Sequence, residues 1–402
     1  MTETVDGGIT APAGFRAAGV ACGIKKKTGA LDLALIVADE PVAAAAVFTT
    51  NLAVAAPVVV SREHLAASGG RAQAIAINSG CANACTGASG LQVARDMGAA
   101  AAAAAECRTE HVLVASTGVI GVALDIAKIR HGISAATHAL SRSGGADAMR
   151  AIMTTDPFPK SHAVSSQTAA GRFTVGGIAK GSGMIEPKMA TMIGVLTTDV
   201  RIEPAVFARA LRHVVDRTFN AITVDGECST NDCVFAMASG QSPVVVSRDD
   251  DPAFLDALTA VAGHLAREIV RGGEGATKLV TLHVGGAASD ADAQLAARTI
   301  ANSPLVKTAI HGGDPNWGRL VAAAGRSGAA FVLDRASVSI ADVPLFVSGV
   351  PHDERADAAA VILQAREIRI AIDLGTGGSH SATMWTCDFS AEYVRINAEY
   401  RT

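Results

Sequence analysis

The stretch Lys180-Gly181-Ser182-Gly183-Met184-Ile185-Glu186-Pro187-Lys188-Met189-Ala190-Thr191-Met192-Ile193-Gly194-Val195-Leu196-Thr197-Thr198-Asp199 lies near the middle of the chain and sets its reading. A glycine-rich loop runs into Pro187, and the apolar run that follows reads as a strand, because branching at Cβ suits a pleated surface. The loop is not a P-loop, since no Gly-Lys-Ser/Thr follows the required four-residue gap, and it lacks the dinucleotide glycine pattern. Taken alone, Thr191 is an ordinary strand residue. The Ala190–Thr191 bond offers a second reading, with a small side chain on one flank and a position where loop meets strand. A Thr hydroxyl is a poor nucleophile until a base activates it, and a Thr made N-terminal carries its own α-amine as that base. The second reading requires the chain to be cut between Ala190 and Thr191.

Upstream of this stretch, Leu31–Val37, Ala43–Phe48, Pro57–Val60 and Ala72–Ile77 read as strands bounded by Gly, Asp, Glu and Pro. The polar loop 78–87 follows. Residues 90–106 carry Leu91, Val93, Ala94 and Met97 at helical spacing. The run from His111 to Ala115 reads as a strand ending in Ser116-Thr117-Gly118-Val119-Ile120-Gly121, where a hydroxyl beside a backbone N–H is what an oxyanion needs. The plain alternative there is a turn. Residues 126–140 read as a helix, 151–156 as a polar loop, and 163–166 with 171–178 as a hairpin that feeds Lys180.

Downstream, 204–218 reads as a helix, 220–224 as a strand, 234–238 as a strand and 251–271 as a helix with Phe254, Leu255, Leu258, Val261 and Leu265 on one face. The bracket Gly272-Gly273-Glu274-Gly275 stops that helix ahead of a strand at 279–284. The last third alternates helix and strand, with strands at 338–340, 345–347, 368–372 and 381–387 and a hairpin turn at Gly375–Gly378. The end, Tyr393 to Thr402, is apolar and aromatic where tails are usually polar, and reads as a segment that folds back into a site.

The composition bounds the function. A chain of 402 residues, 49% hydrophobic and 18% charged, has apolar content for two or three domains. A formal net charge of −4, with Lys25, Lys26 and Lys27 as the basic run, gives no case for nucleic acid. No stretch approaches the roughly 20 apolar residues of a membrane span, and the N-terminus does not read as a secretory signal, so the expected location is cytoplasmic. Seven cysteines, an odd number scattered along the chain, argue against a disulfide framework. No zinc-type spacing or His-Glu-x-x-His pattern occurs, so no metal and no cofactor are expected.

Six segments taken in order, Asn78–Gly87, Ser116–Gly121, Met153–Asp156, Ala179–Asp199, Asn302–Arg319 and Val394–Thr402, resemble the ornithine acetyltransferase family, the glutamate N-acetyltransferases of arginine biosynthesis. The match runs from Ala11-Pro12-Ala13-Gly14-Phe15 to the C-terminus and departs at Cys81, where the family usually carries Asn. The resemblance implies a four-layer αββα sandwich in the α/β (α+β) class, over residues 1–286, with a smaller α/β domain over 287–402 closing the site. It implies self-cleavage between Ala190 and Thr191, giving an α chain of 1–190 and a β chain of 191–402, assembled as an α2β2 heterotetramer.

The implied reaction carries acetyl from N-acetylornithine to glutamate through Thr191, with acetyl-CoA as a second donor that the resemblance allows. Thr117 and Gly118 would hold the oxyanion, and Thr154, Lys180, Thr191, Glu274, Asn397 and Thr402 would bind substrate. These residue types suit amino-acid substrates: Lys180 can pair an α-carboxylate, Glu274 an ammonium, and Asn397 supplies orienting hydrogen bonds. Two other readings stay open on the residues themselves, an N-terminal-nucleophile aminopeptidase or amidase that uses water as acceptor, and a non-cleaving ligand-binding protein on the same fold.

Overall fold

In the computed structural model, which describes residues 2–186 and 192–399, the chain forms two compact units. The first takes residues up to Asn220 and Glu227–Ile269; the second takes Ala221–Gly226 and Val270 onward. The cleavage candidates Ala190 and Thr191, and the terminal Thr402, lie outside the described residues.

The first unit begins with strands β1 (Thr2–Thr4), β2 (Phe15–Val20) and β3 (Leu33–Phe48), then helix α1 (Ala56–Ala67) and strand β4 (Arg71–Cys81). Helix α2 (Gly87–Ala104), strand β5 (Val112–Val119) and helices α3 (Ile126–Ala139) and α4 (Gly145–Ile152) follow. Next come β6 (Lys160–Thr168), β7 (Gly171–Lys180), β8 (Ile193–Thr198) and β9 (Arg201–Ile202). The unit closes with α5 (Pro204–Arg217), β10 (Cys233–Ala238), β11 (Val245–Val246) and α6 (Pro252–Arg271).

The order β1-β6-β7-β8-β10-β3-β4-β5, with β2 on β3, forms one hydrogen-bonded path. It doubles over at β3. Leu33–Ala38 pairs with β2 and β4, whereas Ala43–Phe48 pairs with β10, and a register shift between Val37 and Val42 separates the two halves. That interruption falls at exposed Asp39-Glu40 and Pro41, residues that suit a strand's bend better than its core.

Alternation along the strands then builds four layers. Leu33, Leu35, Val37, Ala74, Ala76, Val112 and Val114 face α2 and α3 in one core. The other parity, Ala34, Ile36, Ile75, Ile77, Leu113 and Ala115, faces Ile178, Ile193, Val195, Phe235 and Met237 of the second sheet layer. Behind that layer, Phe254 of α6 lies 6.3 Å from Phe173 of β7 and 6.1 Å from Phe207 of α5, ring centroid to centroid. The unit is therefore an αββα sandwich, and each buried Ile or Phe in it is worth roughly 1.5–3 kcal/mol of transfer free energy.

The second unit holds β12 (Leu279–Ala287), helices α7 (Asp290–Ala301), α8 (Pro304–Gly312) and α9 (Trp317–Gly325), and strands β13 (Ser337–Ile340), β14 (Val343–Val347) and β15 (Val350–Pro351). It ends with α10 (Ala356–Ile362), β16 (Glu367–Asp373), β17 (His380–Cys387) and α11 (Ala391–Glu399). Its six strands run β15-β14-β13-β16-β12-β17. Ser289, Ser303 and Asn316 cap α7, α8 and α9 through side-chain oxygens that accept N–H bonds.

Three expectations fail for local reasons. Pro57–Val60, a run of valines, is the first turn of α1, where the missing N–H of Pro57 is harmless, and Val58 and Val60 are buried. Residues 220–224 form a 3₁₀ turn at Phe219–Ala221 rather than a strand, although Ile222 and Val224 are buried. Gly375–Gly378 is no hairpin turn, because β16 and β17 lie on opposite sides of β12 and the segment carries the chain across. The polar stretch 78–87 is strand as far as Cys81, and the short helix α4 and strands β1 and β2 had no counterpart in the sequence reading.

All seven cysteines are free thiols. No helix among the described residues is long and apolar enough to cross a membrane.

His162 of β6 stacks on His264 of α6, with ring centroids 4.1 Å apart and planes 18° from parallel. Burial, then His264 and Arg267, push the His162 imidazole down to about 4. An unfolded imidazole takes its proton near 6.5, so the stability that His162 contributes is present above that pH and declines as pH falls from about 6.5 to about 4. A His162→Asn variant should show a smaller drop in Tm across that window than the parent chain, measured by thermal denaturation at fixed ionic strength.

Candidate active site

The oxyanion candidates sit at the end of β5. Thr117 continues the parity of Leu113 and Ala115, so it points into the space between the two sheet layers. Lys180, the last residue of β7, continues the parity of Ile178 into the same space. Its Nζ donates to Thr117 Oγ1 at 3.2 Å, and both side chains are buried. Because an ammonium only donates, the Thr117 oxygen is the acceptor here and its own proton is left for another partner.

Gly118 is required by the backbone. Its φ is +127°, and a Cβ there would overlap the carbonyl carbon of Gly80 and lie 2.7 Å from the Cys81 nitrogen. Parallel pairing sets Gly80 beside Gly118, so two glycines let β4 and β5 close up at their ends. Asn78 braces this end: its amide donates to the Cys81 carbonyl at 2.9 Å while its oxygen accepts from Ser116 Oγ at 2.6 Å. Asn231 donates to the carbonyls of Ala82 and Ser116, at 2.6 and 2.9 Å. Cys81, the departure from the family pattern, donates its thiol to the Val122 carbonyl at 3.3 Å, and burial pushes that thiol's pKa up. The loop backbone is thus held without an Asn side chain at this position.

Asp156 organises the other wall. Its Oδ1 accepts from Lys160 Nζ at 2.6 Å and from the Gly181 N–H at 2.7 Å, and its Oδ2 accepts from the Thr154 N–H at 3.0 Å. Both side chains of the Asp156–Lys160 pair are fully buried. Burial alone would push the Asp156 carboxyl up, but Lys160, then Lys180 and the Gly181 N–H, hold it below the usual carboxylate range. One carboxylate therefore fixes the backbone of Thr154 and of the residue that follows Lys180.

The described chain on either side of residues 187–191 is anchored. The Glu186 N–H donates to the Glu227 carbonyl at 2.8 Å, Ile185 bridges Cys228, and the Met192 carbonyl accepts from the Cys233 N–H at 3.0 Å. Ile193, two positions after Thr191 in the sequence, is the register partner of Lys180.

Glu274 and Asn397, in the second unit, also meet. Asn397 Nδ2 of α11 donates to Glu274 Oε2 at 2.9 Å. The loop that carries Glu274 is fastened at both ends. Ser390 Oγ donates to the Gly275 carbonyl at 2.6 Å, and Gly275, with φ +68°, has no room for a Cβ against the Tyr393 nitrogen. Asp388 accepts from the Thr277 N–H, the Thr277 hydroxyl and the Lys278 N–H at 2.8, 2.6 and 2.9 Å, and its Oδ2 lies 2.7 Å from His311 Nδ1.

A family model described as the ArgJ family matches residues 16–402. The chain belongs to the ArgJ family. The arginine biosynthesis bifunctional protein ArgJ of Symbiobacterium thermophilum is 48% identical over 404 residues, covering 100% of both chains. That of Chlorobium chlorochromatii is 50% identical over 392 residues, 97% of this chain and 91% of its own. A solved structure of ornithine acetyltransferase complexed with ornithine from Mycobacterium tuberculosis is 45% identical, with a TM-score of 0.44, covering 47% of this chain and 100% of that chain.

Within this ArgJ-family fold the structure brings Thr117 together with Lys180, and Glu274 with Asn397. It sets Thr154 on the Asp156 carboxylate that also holds Gly181. Sequence reading missed Lys160 as the partner of Asp156, and missed Asp388 altogether. It also missed Asp32, a fully buried carboxylate that accepts from the N–H groups of Cys22, Ile24 and Lys25 at 2.6, 2.7 and 3.0 Å. The Lys-rich turn it shapes brings Lys25 against Gly80, where a Cβ would lie 3.1 Å from Lys25 Cγ. Among the described residues no group of three or more His, Cys, Asp or Glu side chains is placed to hold a metal ion.

Two outcomes follow. Lys160→Met leaves the Asp156 charge buried without its ion-pair partner and should cost about 3–5 kcal/mol in chemical denaturation. Asp388→Asn should speed hydrogen exchange at the Thr277 and Lys278 amides while leaving exchange along β4 and β5 unchanged.

Proposed function

We propose that this chain is a self-cleaving acetyltransferase that moves the acetyl group of N2-acetyl-L-ornithine to L-glutamate through an acetyl-Thr191 intermediate, in the cyclic route of arginine biosynthesis. As an ArgJ-family member it is an acyltransferase of the glutamate N-acetyltransferase type, and acetyl-CoA serves as a second donor to glutamate. The observation that carries the reading is the Lys180–Thr117 hydrogen bond between the two sheet layers, on the strand whose register partner, Ile193, follows Thr191 by two positions.

Maturation begins when the Thr191 hydroxyl attacks the Ala190 carbonyl. The C–N bond breaks, the acyl group passes to oxygen, and water hydrolyses the ester. Ala190 becomes a carboxylate and Thr191 gains a free α-amine. That amine has an intrinsic pKa of about 7.7–8.0, against about 10.4 for a lysine, so a useful fraction is neutral near pH 7.

In transfer, the amine takes the Thr191 hydroxyl proton as the oxygen attacks the acetyl carbon. The Thr117 hydroxyl and Gly118 N–H hold the oxyanion, the acetyl C–N bond breaks, and ornithine leaves with the proton. Glutamate's amine then attacks the ester, and N-acetylglutamate departs as Thr191 recovers its proton. Lys180 pairs a substrate carboxylate, Glu274 an ammonium, and Thr154, Asn397 and Thr402 orient the chain of each substrate. A site of this kind must exclude water during the acetyl-enzyme stage, since hydrolysis would release acetate. The domain closing it, beginning near residue 287 in the sequence reading, the α2β2 assembly, the cytoplasmic location and the absence of a cofactor belong to the same proposal.

Thr191→Ala should give a folded, single, uncut chain with no transfer, read by denaturing electrophoresis and by assay of N-acetylglutamate from N-acetylornithine and glutamate. A variant that still cuts and turns over would remove Thr191 from its role. Thr117→Ala, tested on the matured enzyme, should lower kcat by roughly 10²–10³ with a smaller change in KM. Release of acetate without N-acetylglutamate would replace the transferase with a hydrolase.

A further inference from the structure

A pocket opens in the first unit, lined by none of Thr117, Lys180 and Asp156. Its volume is about 410 Å³, and its walls come from the C-terminal end of β3, the loop to α1, and one residue each from α1 and α5. Two of the lining side chains are arginines, Arg62 and Arg212, and no aspartate or glutamate lines it. The chain as a whole carries a net charge of −4, so a doubly positive concavity without a carboxylate runs against the average.

The two arginines are held differently. Arg62 is pre-organised: one of its terminal nitrogens donates to the Thr49 carbonyl at 2.7 Å, and its guanidinium carbon lies 5.2 Å from the centre of the Phe48 ring. Arg212, exposed on α5, forms no ion pair or hydrogen bond among the described residues, so its guanidinium has its donors to offer. Elsewhere on the surface arginines do find carboxylates, as Arg95 does with Glu63 and Arg209 with Asp249. Beside the arginines stand the Asn51 and Thr50 side chains and the apolar Leu52, which is almost wholly exposed at 98%.

We propose that this pocket binds a small molecule with a dianionic phosphate group on an apolar or aromatic body. Two guanidinium forks match two negative charges and the several oxygens of a phosphate, which a single carboxylate does not provide. The Phe48 and Leu52 side chains supply the wall against which a ring or aliphatic body loses its water. The wall is not free-standing. Asn51 Nδ2 donates to the Cys228 carbonyl at 2.8 Å and Thr49 Oγ1 to the Ser229 carbonyl at 2.8 Å, and Cys228 bridges Ile185 just ahead of the segment 187–191. A ligand seated there is therefore two hydrogen-bonded steps from the chain that leads into the Ala190–Thr191 bond.

Isothermal titration of the full-length protein in a phosphate-free buffer tests this, with ADP, inorganic phosphate and adenosine as the probes. ADP should bind one per chain, more tightly than inorganic phosphate, and adenosine should give no measurable heat. Arg212→Met should weaken ADP at least about tenfold, and raising salt should weaken it in the parent, as expected for a charge-dominated contact. Arg62→Met checks the same point from the other side, with far-ultraviolet circular dichroism confirming that each variant is folded. No binding of ADP, binding that the Arg212→Met change leaves intact, or adenosine binding as tightly as ADP would each overturn the assignment.

Discussion

The carboxylate of Asp156 is the constraint from which the candidate site takes its shape. Placing a charge inside a sandwich is costly, and here the cost is offset by Lys160 at 2.6 Å and by two backbone N–H groups. The N–H groups belong to Thr154 and to Gly181, which adjoins Lys180. Satisfying one buried charge therefore sets two stretches of backbone from different parts of the sequence. An apolar pair of similar volume would fill the space equally well and would leave both stretches without an anchor.

The doubled sheet gives that anchor its setting. Because β3 breaks at Asp39–Pro41 and contributes to both layers, the inward parity of β5 and the inward parity of β7 face one another. At the centre that face is Ile, Ala and Phe. At its end the same parity turns polar, as Thr117 and Lys180, and the two meet at 3.2 Å. The close approach of β4 and β5 there rests on Gly80 and Gly118, whose missing side chains let the strand ends adopt positive φ. The second unit repeats the strategy on a smaller scale, with Asp388 gathering the Thr277 and Lys278 amides and so fastening the loop that presents Glu274.

Much of this is legible in the sequence. Periodicity located α2, α3, α5 and α6 and most strands of both sheets, since a 3.6-residue stripe or a two-residue alternation survives in the sequence wherever one face is buried. It failed where the environment, and not the pattern, decides. The valines after Pro57 read as strand but form a helix, because proline favours a first turn and the neighbours of Val58 and Val60 bury them either way. Gly375–Gly378 has the composition of a hairpin turn, yet whether two strands pair with each other or with a third is a long-range property. The site divided along the same line. Thr117 and Gly118 stood out as a hydroxyl beside a backbone N–H at a strand end, and Glu274 as an acid in a glycine bracket, whereas Lys180 and Asn397 were pointed to by the family resemblance. Lys160, Asp32 and Asp388 did not stand out, since nothing in a sequence marks a charge as buried; an aspartate followed four residues later by a lysine usually signals an exposed pair.

The central claim is that Thr191, freed by cleavage, carries the acetyl group between two amino acids. Intact mass and peptide mapping of the purified protein after exposure to N-acetylornithine, with glutamate withheld, tests it most directly. The account predicts a fragment beginning at Thr191 that gains one acetyl group on the threonine side-chain oxygen and loses it to N-acetylglutamate when glutamate is added. An unmodified Thr191, or acetyl found on another residue and transferred from there, would contradict it.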